Sequence, residues 1–458
     1  MILGANILVH DPGPAAARLR RLATFRRRGR IPRGEQRFVR FYRSQARWLV
    51  LPRGLLPAVR QVVGGAVVDR RLVLPAIDFH WCGQLWPEQA AADRTLAPIH
   101  GGVLVGPPGS GKTTAALALI AVWRQPALWI VNTRDLARQA IERARTVFNL
   151  PPVVGRAPTI GYIGEGSRML GTHLTVATVQ TLTSSPGTVR RILGRFGTVV
   201  VDETHMVPAT TVARLVTAFP AMNRLGVTAT PYRSDGLDDL MFAILGGATA
   251  QIDRTSLLRR GRILMPHARV VPTTWTFVGG DWSKLQRARA MSSGRNRTIC
   301  SLVAHEHRDG RKILVLVERV AHARLLAQML RESWGTPAYP VVGSVPPATR
   351  RRAYARAEAG SLVLIATRLA DQGLDLPAID CLVLATPGRG IVDGKDHARS
   401  APRLNQQVGR IMRALKGKNT PIIFDFSDLR VDTLRRQAQE RVRAYRQLGI
   451  PVERHLGG

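Results

Sequence analysis

Residues Gly106-Pro-Pro-Gly-Ser-Gly-Lys-Thr113 match the pattern G-x-x-x-x-G-K-[ST]. An apolar run, Gly102–Val105, precedes them, and a helix is predicted over Thr114–Val122. Strand, glycine-rich turn and helix together are the setting in which this pattern binds a nucleotide's phosphates. Gly106, Gly109 and Gly111 let backbone N–H groups wrap an anion, with Ser110 and Thr114 beside them, and the helix start adds its positive end. Lys112 has the reach to touch the β- and γ-phosphates, and the Thr113 hydroxyl is a Mg²⁺ ligand.

A second group follows 90 residues after Lys112, at Val199-Val-Val-Asp-Glu-Thr-His205. An apolar strand that ends in two carboxylates suits a magnesium-associated site. Asp202 is predicted to hold Mg²⁺, largely through water, and Glu203 to orient or deprotonate an attacking water. His205 is predicted to couple this site to the next motif. A third group is Gln406-Gln-Val-Gly-Arg-Ile-Met-Arg413. Arg410 and Arg413 are three apart, so a helix would put them on one face, where guanidinium groups can neutralise a transferring γ-phosphoryl. Gln406 joins His205 as a coupling residue. With 61 arginines in the chain an R-x-x-R is common, so its flanks and its place after a second set of strands carry that reading.

These groups, in this order, resemble superfamily 2 helicases. The nearest branch contains XPB, the UvsW-type phage helicases and the type I and III restriction motors. The resemblance covers roughly residues 80–430. Leu85-Trp-Pro-Glu-Gln89 resembles that family's adenine motif, although Trp86 and Glu88 replace the usual Arg and Tyr. Val131-Asn-Thr133-Arg134 through Gln139 resembles motif Ia, and Thr175-Val-Ala-Thr178 the next strand-contacting motif. Thr228-Ala-Thr230-Pro231 resembles motif III, and Ala366-Thr367 through Gly373-Leu-Asp375-Leu-Pro377 resembles motif V.

The resemblance implies two RecA-like lobes with ATP and Mg²⁺ between them. It puts Gln89 on adenine and Gly373 and Asp375 at the nucleotide, and gives Thr228 and Thr230 a coupling role. Thr133, Arg134, Thr178 and Thr367 would lie along a nucleic-acid backbone. It also implies ATP-driven movement on DNA, single-stranded, forked or branched, with a family tendency to 3′→5′ travel. There is no Arg-Glu-Asp tripeptide of the XPB kind between the lobes.

The elements that must hold these residues are visible as short apolar runs, each followed by a helical stretch. Gly102–Val105, Leu128–Val131, Leu174–Val179, Thr198–Val201 and Leu225–Val227 form one set. Ile313–Val317, Leu362–Ile365, Cys381–Leu384 and Ile422–Phe426 form another. Continuous apolar strands alternating with helices imply parallel sheets covered on both faces. The expected architecture is α/β: a basic N-terminal domain over 1–78, lobes over 79–232 and 309–458, and a connector over 233–308.

The charge agrees with a polyanionic partner. Lys plus Arg number 67 against 31 Asp plus Glu, a net of +36 over 458 residues. Only six of the cations are Lys, so genome bias explains Arg over Lys but not the shortage of acids. The first 75 residues carry 16 Arg and three acids. Phe25, Phe38, Phe41, Tyr42 and Trp48 lie among them, a mixture that suits phosphate contact with base stacking or, equally, a small core under a solvated Arg face. Leu51-Pro-Arg-Gly54 resembles the turn in front of XPB-like motors.

Three widely spaced cysteines exclude a Cys-rich zinc site and a disulfide framework. No apolar run reaches membrane-span length and no signal peptide is read, so a cytoplasmic protein of a bacterium or phage-infected cell is expected. A partner nuclease or a replication or repair protein fits the family. The competing readings are an RNA helicase, a nucleotide-gated clamp without strand separation, and a membrane-surface protein held by its basic arm.

Overall fold

The computed structural model describes residues 1–27, 36–150, 158–203, 209–229, 236–367, 376–388 and 402–455. They form two compact units, Met1–Arg254 and the chain from Thr255 onward.

The first unit begins with a small sheet. Its strands are β1 (Ile2–Leu3), β2 (Ile7–His10), β5 (Arg43–Gln45), β6 (Trp48–Leu51) and β7 (Val68–Asp69), in the order β5-β6-β2-β1-β7. A separate ribbon pairs β3 (Thr24–Arg26) with β4 (Phe38–Arg40). Alternation along β2 and β6 turns Ile7, Val9, Leu49 and Leu51 inward onto Leu19 and Val59 of two short helices. The interleaved aromatics divide: Phe25 is core, Phe38 is exposed, and Phe41, Tyr42 and Trp48 are half-buried.

Pro52-Arg-Gly54 makes the joint between this small domain and the body behind it. Arg53 is buried, its guanidinium donating to the carbonyls of Ala221 and Met222. Burial holds its pKa well below the usual arginine value, with the nearby Arg224 charge adding to the effect. Gly54 lies directly on the helix Asp238–Leu245. A Cβ there would sit 2.5 Å from the Ala243 carbonyl oxygen and 2.6 Å from that of Phe242. Arg224, fully buried, closes the joint from the other side by donating to the carbonyl of Ala5.

The main sheet of this unit has eight strands: β8 (Gly101–Val105), β9 (Ala127–Val131), β10 (Ile160–Gly164), β11 (Ser167–Met169), β12 (Leu174–Thr178), β13 (Thr198–Asp202), β14 (Asn223–Thr228) and β15 (Thr249–Gln251). Their order is β11-β10-β12-β9-β13-β14-β8-β15, parallel except for β11. The apolar runs become its inner strands because helices cover both faces.

The second unit holds a seven-stranded parallel sheet of β16 (His267–Pro272), β17 (Ile313–Val317), β18 (Ala338–Val341), β19 (Val363–Thr367), β20 (Cys381–Leu384), β21 (Ile422–Ser427) and β22 (Val452–Arg454). Its order is β18-β19-β17-β20-β21-β16-β22. Residues 233–308 contribute to both sheets, through β15 and β16. Two helices from this stretch carry arginines into the second core. Arg289 and Arg295 both bond Asp428, at 2.5 and 2.7 Å, while Arg441 grips Asp425 with two bonds of 2.7 Å. The same three guanidiniums also donate to the carbonyls of Pro387, Ala385 and Gly388.

Gly54→Ala should force the small domain off its helix. Overpacking of this kind costs about 1–3 kcal/mol, so chemical unfolding should show a lower midpoint and earlier protease cleavage of residues 1–71. An unchanged midpoint would mean that the joint yields without cost.

Candidate functional site

The parallel register gathers the predicted residues at one edge of the eight-stranded sheet. Val105 pairs with Thr228 and Val227 with Asp202, so β8, β14 and β13 end side by side. Ligand sites of open parallel sheets lie at this carboxyl edge. The loop after β8 leads into a helix that starts at Lys112 and runs to Trp123, two residues earlier than predicted. Gly109 and Gly111 have φ of 80° and 71°, the left-handed region that glycine enters without steric cost. Left-handed turns of this kind are the backbone geometry in which successive N–H groups form an anion-binding concavity. Ser110 is buried, and its N–H donates to the Pro107 carbonyl at 3.0 Å. Thr113 and Thr114 are half-buried on the first helical turn.

Gln89 is buried beneath this loop. Its amide nitrogen donates to the Ser110 carbonyl at 2.8 Å, and its amide oxygen accepts from the Trp86 N–H at 2.8 Å. A side chain on Gly111 would collide with that amide. Gln89 therefore braces the glycine loop through backbone groups.

Asp202 closes β13 and Glu203 follows with φ of 50°, an uncommon conformation for a residue with a side chain. The Glu203 N–H donates to the Val227 carbonyl at 2.8 Å, which fixes the turn. Burial pushes the Asp202 carboxyl up to about 7, the Glu203 charge adds to this, and Lys112 opposes it. Lys112 also donates to the Pro107 carbonyl at 3.4 Å. The Asp202 and Glu203 carboxylates are oxygen donors of the kind a hard divalent cation takes, and Lys112 lies near enough for its charge to act on Asp202. Mg²⁺ is commonly held by one or two carboxylates plus substrate phosphates, and among the described residues no cluster of three or more His, Cys, Asp or Glu competes with that arrangement.

Thr228 is fully buried at the end of β14, and its carbonyl accepts from the Gly106 N–H at 3.2 Å. The third motif thus touches the start of the phosphate loop through backbone. Thr133 caps the helix Arg134–Val147 by accepting from the Leu136 N–H at 3.3 Å. Arg134 is exposed and ion-pairs with Glu165. Thr178 is 5% exposed, and its hydroxyl donates to that of Thr181 at 2.9 Å. In the second unit Thr367 ends β19 and is 4% exposed. The helix Pro402–Met412 carries Gln406 and Arg410, while Arg413 lies one residue past its end, in a bridge with Ile263. Arg413 thus lies just beyond the helix on which a shared face was expected. His205, Thr230, Gly373 and Asp375, and the side chains of Gln406 and Arg410, lie outside the described residues.

Two contacts at these motifs have no local sequence signature. Gln180 donates to the carbonyl and side-chain oxygens of Asn132 at 2.8 and 3.1 Å, tying motif Ia to the following motif. Lys418 donates to the carbonyls of Pro377 and Arg413 at 2.7 and 3.0 Å. It links the end of motif V to the end of the Gln406–Arg413 group, and burial pulls its pKa down to about 8. A lysine five residues beyond Arg413 was visible in the sequence, but its partners become neighbours only through folding.

Comparison with known proteins agrees with this order of parts. Residues 86–233 match the family described as "Type III restriction enzyme, res subunit", and residues 294–415 match "Helicase conserved C-terminal domain". The chain is similar to putative helicase 22 of a Sulfolobus islandicus filamentous virus, 28% identical over 71% of this chain and 60% of that protein. It is also similar to the putative DNA 3′-5′ helicase Rad25 of Halobacterium salinarum, 29% identical over 74% of this chain and 53% of that one. The chain thus spans little more than half the length of these relatives. In fold it resembles the ATP-dependent type ISP restriction-modification enzyme LlaBIII, with a TM-score of 0.57 over 83% of this chain and 32% of that one, at 13% identity. The fold is a pair of RecA-like parallel-sheet lobes. The chain belongs to the superfamily 2 helicases, in the branch of XPB-like and restriction-motor proteins. Among the described residues no helix is long and apolar enough to cross a membrane.

The helix that carries Gln89 also buries Asp93, neither of whose carboxylate oxygens has a hydrogen-bond partner. Burial pushes its pKa up to about 8. The folded state therefore holds a proton that the unfolded state releases above about pH 4. Its stability falls as pH rises from about 4 towards 8, and the loss levels off above 8. Asp93→Asn should raise the melting temperature, with a larger gain at pH 7.5 than at pH 5. An equal gain at both would show that this carboxyl does not titrate between them.

Proposed function

We propose that this chain is an ATP-dependent DNA translocase or helicase acting on forked or branched DNA. The observation that carries the reading is the convergence of the glycine loop, Lys112 and the Asp202–Glu203 pair at one sheet edge. The +36 charge and the relatives named as DNA helicases support DNA as the track, and the Rad25 name supports 3′→5′ travel.

In this reading the N–H groups of Gly109, Gly111 and Lys112 hold the β-phosphate, and the Lys112 ammonium bridges to the γ-phosphate. Thr113 and Asp202 hold Mg²⁺, which when bound neutralises charge on the phosphate oxygens. Glu203 orients and deprotonates the attacking water. Arg410 and Arg413 supply guanidinium groups to the transferring phosphoryl, and Lys418 holds the Arg413 backbone. The Thr228–Gly106 contact passes changes at the phosphate loop to the third motif, where His205, Thr230 and Gln406 complete the coupling. Gly373 and Asp375 close on the nucleotide. Thr133, Arg134, Thr178 and Thr367 meet the strand's phosphates, which makes binding largely independent of sequence. Residues 1–78 form an accessory DNA-binding domain before the two motor lobes, and the stretch 233–308 adds β15 to the first sheet and β16 to the second. A nuclease or a replication or repair protein is the expected partner class.

Lys112→Ala should abolish DNA-stimulated ATP hydrolysis while leaving most DNA affinity, measured by phosphate release and by anisotropy. Retained hydrolysis would remove Lys112 from the site. Glu203→Gln should bind ATP normally and turn over at least a hundredfold more slowly, the order expected for loss of a general base. Arg413→Ala should lower kcat with little change in KM. Stimulation by single strands, duplex, forks and RNA, read beside strand displacement, separates the DNA motor from an RNA helicase and from a clamp that hydrolyses ATP without unwinding.

A further inference from the structure

A cavity of about 430 Å³ lies in the seam between the small N-terminal domain and the first lobe. Both walls belong to one compact unit, and three side-chain contacts fix them to each other. Asn6 donates to the Thr217 carbonyl at 3.1 Å, and Arg53 and Arg224 grip carbonyls across the joint. The opening is therefore preformed. Its lining combines Arg40, Arg43 and Arg214 with Phe41 and Tyr42, and among the described residues it contains no Asp or Glu. The three arginines are exposed, and none lies within ion-pair distance of a described carboxylate. Two come from the small domain, and the third, Arg214, projects from the first lobe's helix Ala209–Val216. Phe41 and Tyr42 are half-buried: Phe41 packs on the lobe's core and Tyr42 on the small domain's core, so both rings are held in place.

Unpaired guanidiniums around a concavity call for an anion. Fixed aromatic faces beside them call for a flat, unsaturated group. A single nucleotide carries both, and pockets of this volume hold small ligands rather than a duplex. We propose that this seam pocket seats one unstacked nucleotide of a DNA strand, with its phosphate on Arg40, Arg43 and Arg214 and its base against Phe41 and Tyr42. The proposal rests on the reading of the chain as a DNA motor and adds a site outside the helicase motifs. A base is available to such a pocket only where pairing is broken, so the pocket would favour a fork or a single-strand junction over continuous duplex. That preference would come from the joint between the domains rather than from the basic domain alone.

The test uses the full chain with three DNAs of equal length: a fork, a paired duplex, and a fork with an abasic site at the junction. The variants are Arg214→Glu and the double change Arg40→Glu/Arg43→Glu. Arg195→Glu, at an exposed arginine just before β13 that does not line the pocket, controls for net charge. Thermal melts establish that each variant folds. The wild type should bind the fork at least tenfold more tightly than duplex, and the abasic fork should lose most of that margin. Both pocket variants should erase the margin, while Arg195→Glu weakens fork and duplex by the same factor. The proposal is overturned if Arg214→Glu keeps the fork preference, or if it weakens all three DNAs equally. A free mononucleotide, dAMP, forms the last arm. Saturable dAMP binding that Arg214→Glu removes, with fork affinity unchanged, would replace the strand by a free nucleotide. A wild type that binds none of the DNAs would sink the motor reading itself, an outcome distinct from either of the others.

Discussion

The backbone pairing of β8, β14 and β13 is the constraint on which the nucleotide site depends. Parallel strands in register finish together, so the glycine loop, the third motif and the acidic pair arrive at one edge although 122 positions separate Gly106 from Thr228 in sequence. Two backbone bonds, Gly106 to Thr228 and Glu203 to Val227, then lock the loops that leave that edge. The side chains contribute chemistry at positions that main-chain hydrogen bonding has already chosen. Gln89 shows how closely the arrangement is packed, since its amide occupies the space that a residue other than glycine would need at 111.

Charge is used in two ways. Some arginines are structural and lie inside: Arg53 and Arg224 at the domain joint, Arg289, Arg295 and Arg441 around Asp425 and Asp428. A buried guanidinium can satisfy several carbonyl oxygens at once with a rigid planar fork of five donors, whereas a lysine offers three donors on a flexible stem. Removing one partner of such a set leaves an uncompensated charge in a low-dielectric interior. The others stay on the surface and sum to the positive field that attracts a polyanion. The +36 total therefore overstates the charge available to DNA, because a share of it holds carbonyls.

Much of the fold was legible. Each of the nine apolar runs became a strand of a mainly parallel sheet, since a run buried on both faces needs no alternation to be recognised. The strands that escaped recognition are short, lie mostly towards sheet edges or are broken by proline, as in Ala338-Tyr-Pro-Val341 on the outer strand of its sheet. The Pro-Arg-Gly54 turn was visible as a motif, but its use was not. Its arginine faces backbone carbonyls instead of phosphate, and its glycine allows contact with a helix nearly 190 residues away.

The chain's residues by themselves determined the phosphate loop, the acidic pair and the order of the motifs, because each depends on residue type at close spacing. Those features suffice to define the superfamily. Folding alone decided which distant groups became neighbours: Gln89 under the glycine loop, Gln180 on Asn132, Lys418 between two carbonyls, and three arginines around a seam pocket. Such contacts join parts of the chain whose local patterns are independent of each other. Their geometry is set by strand register and helix packing, which no short window of sequence encodes.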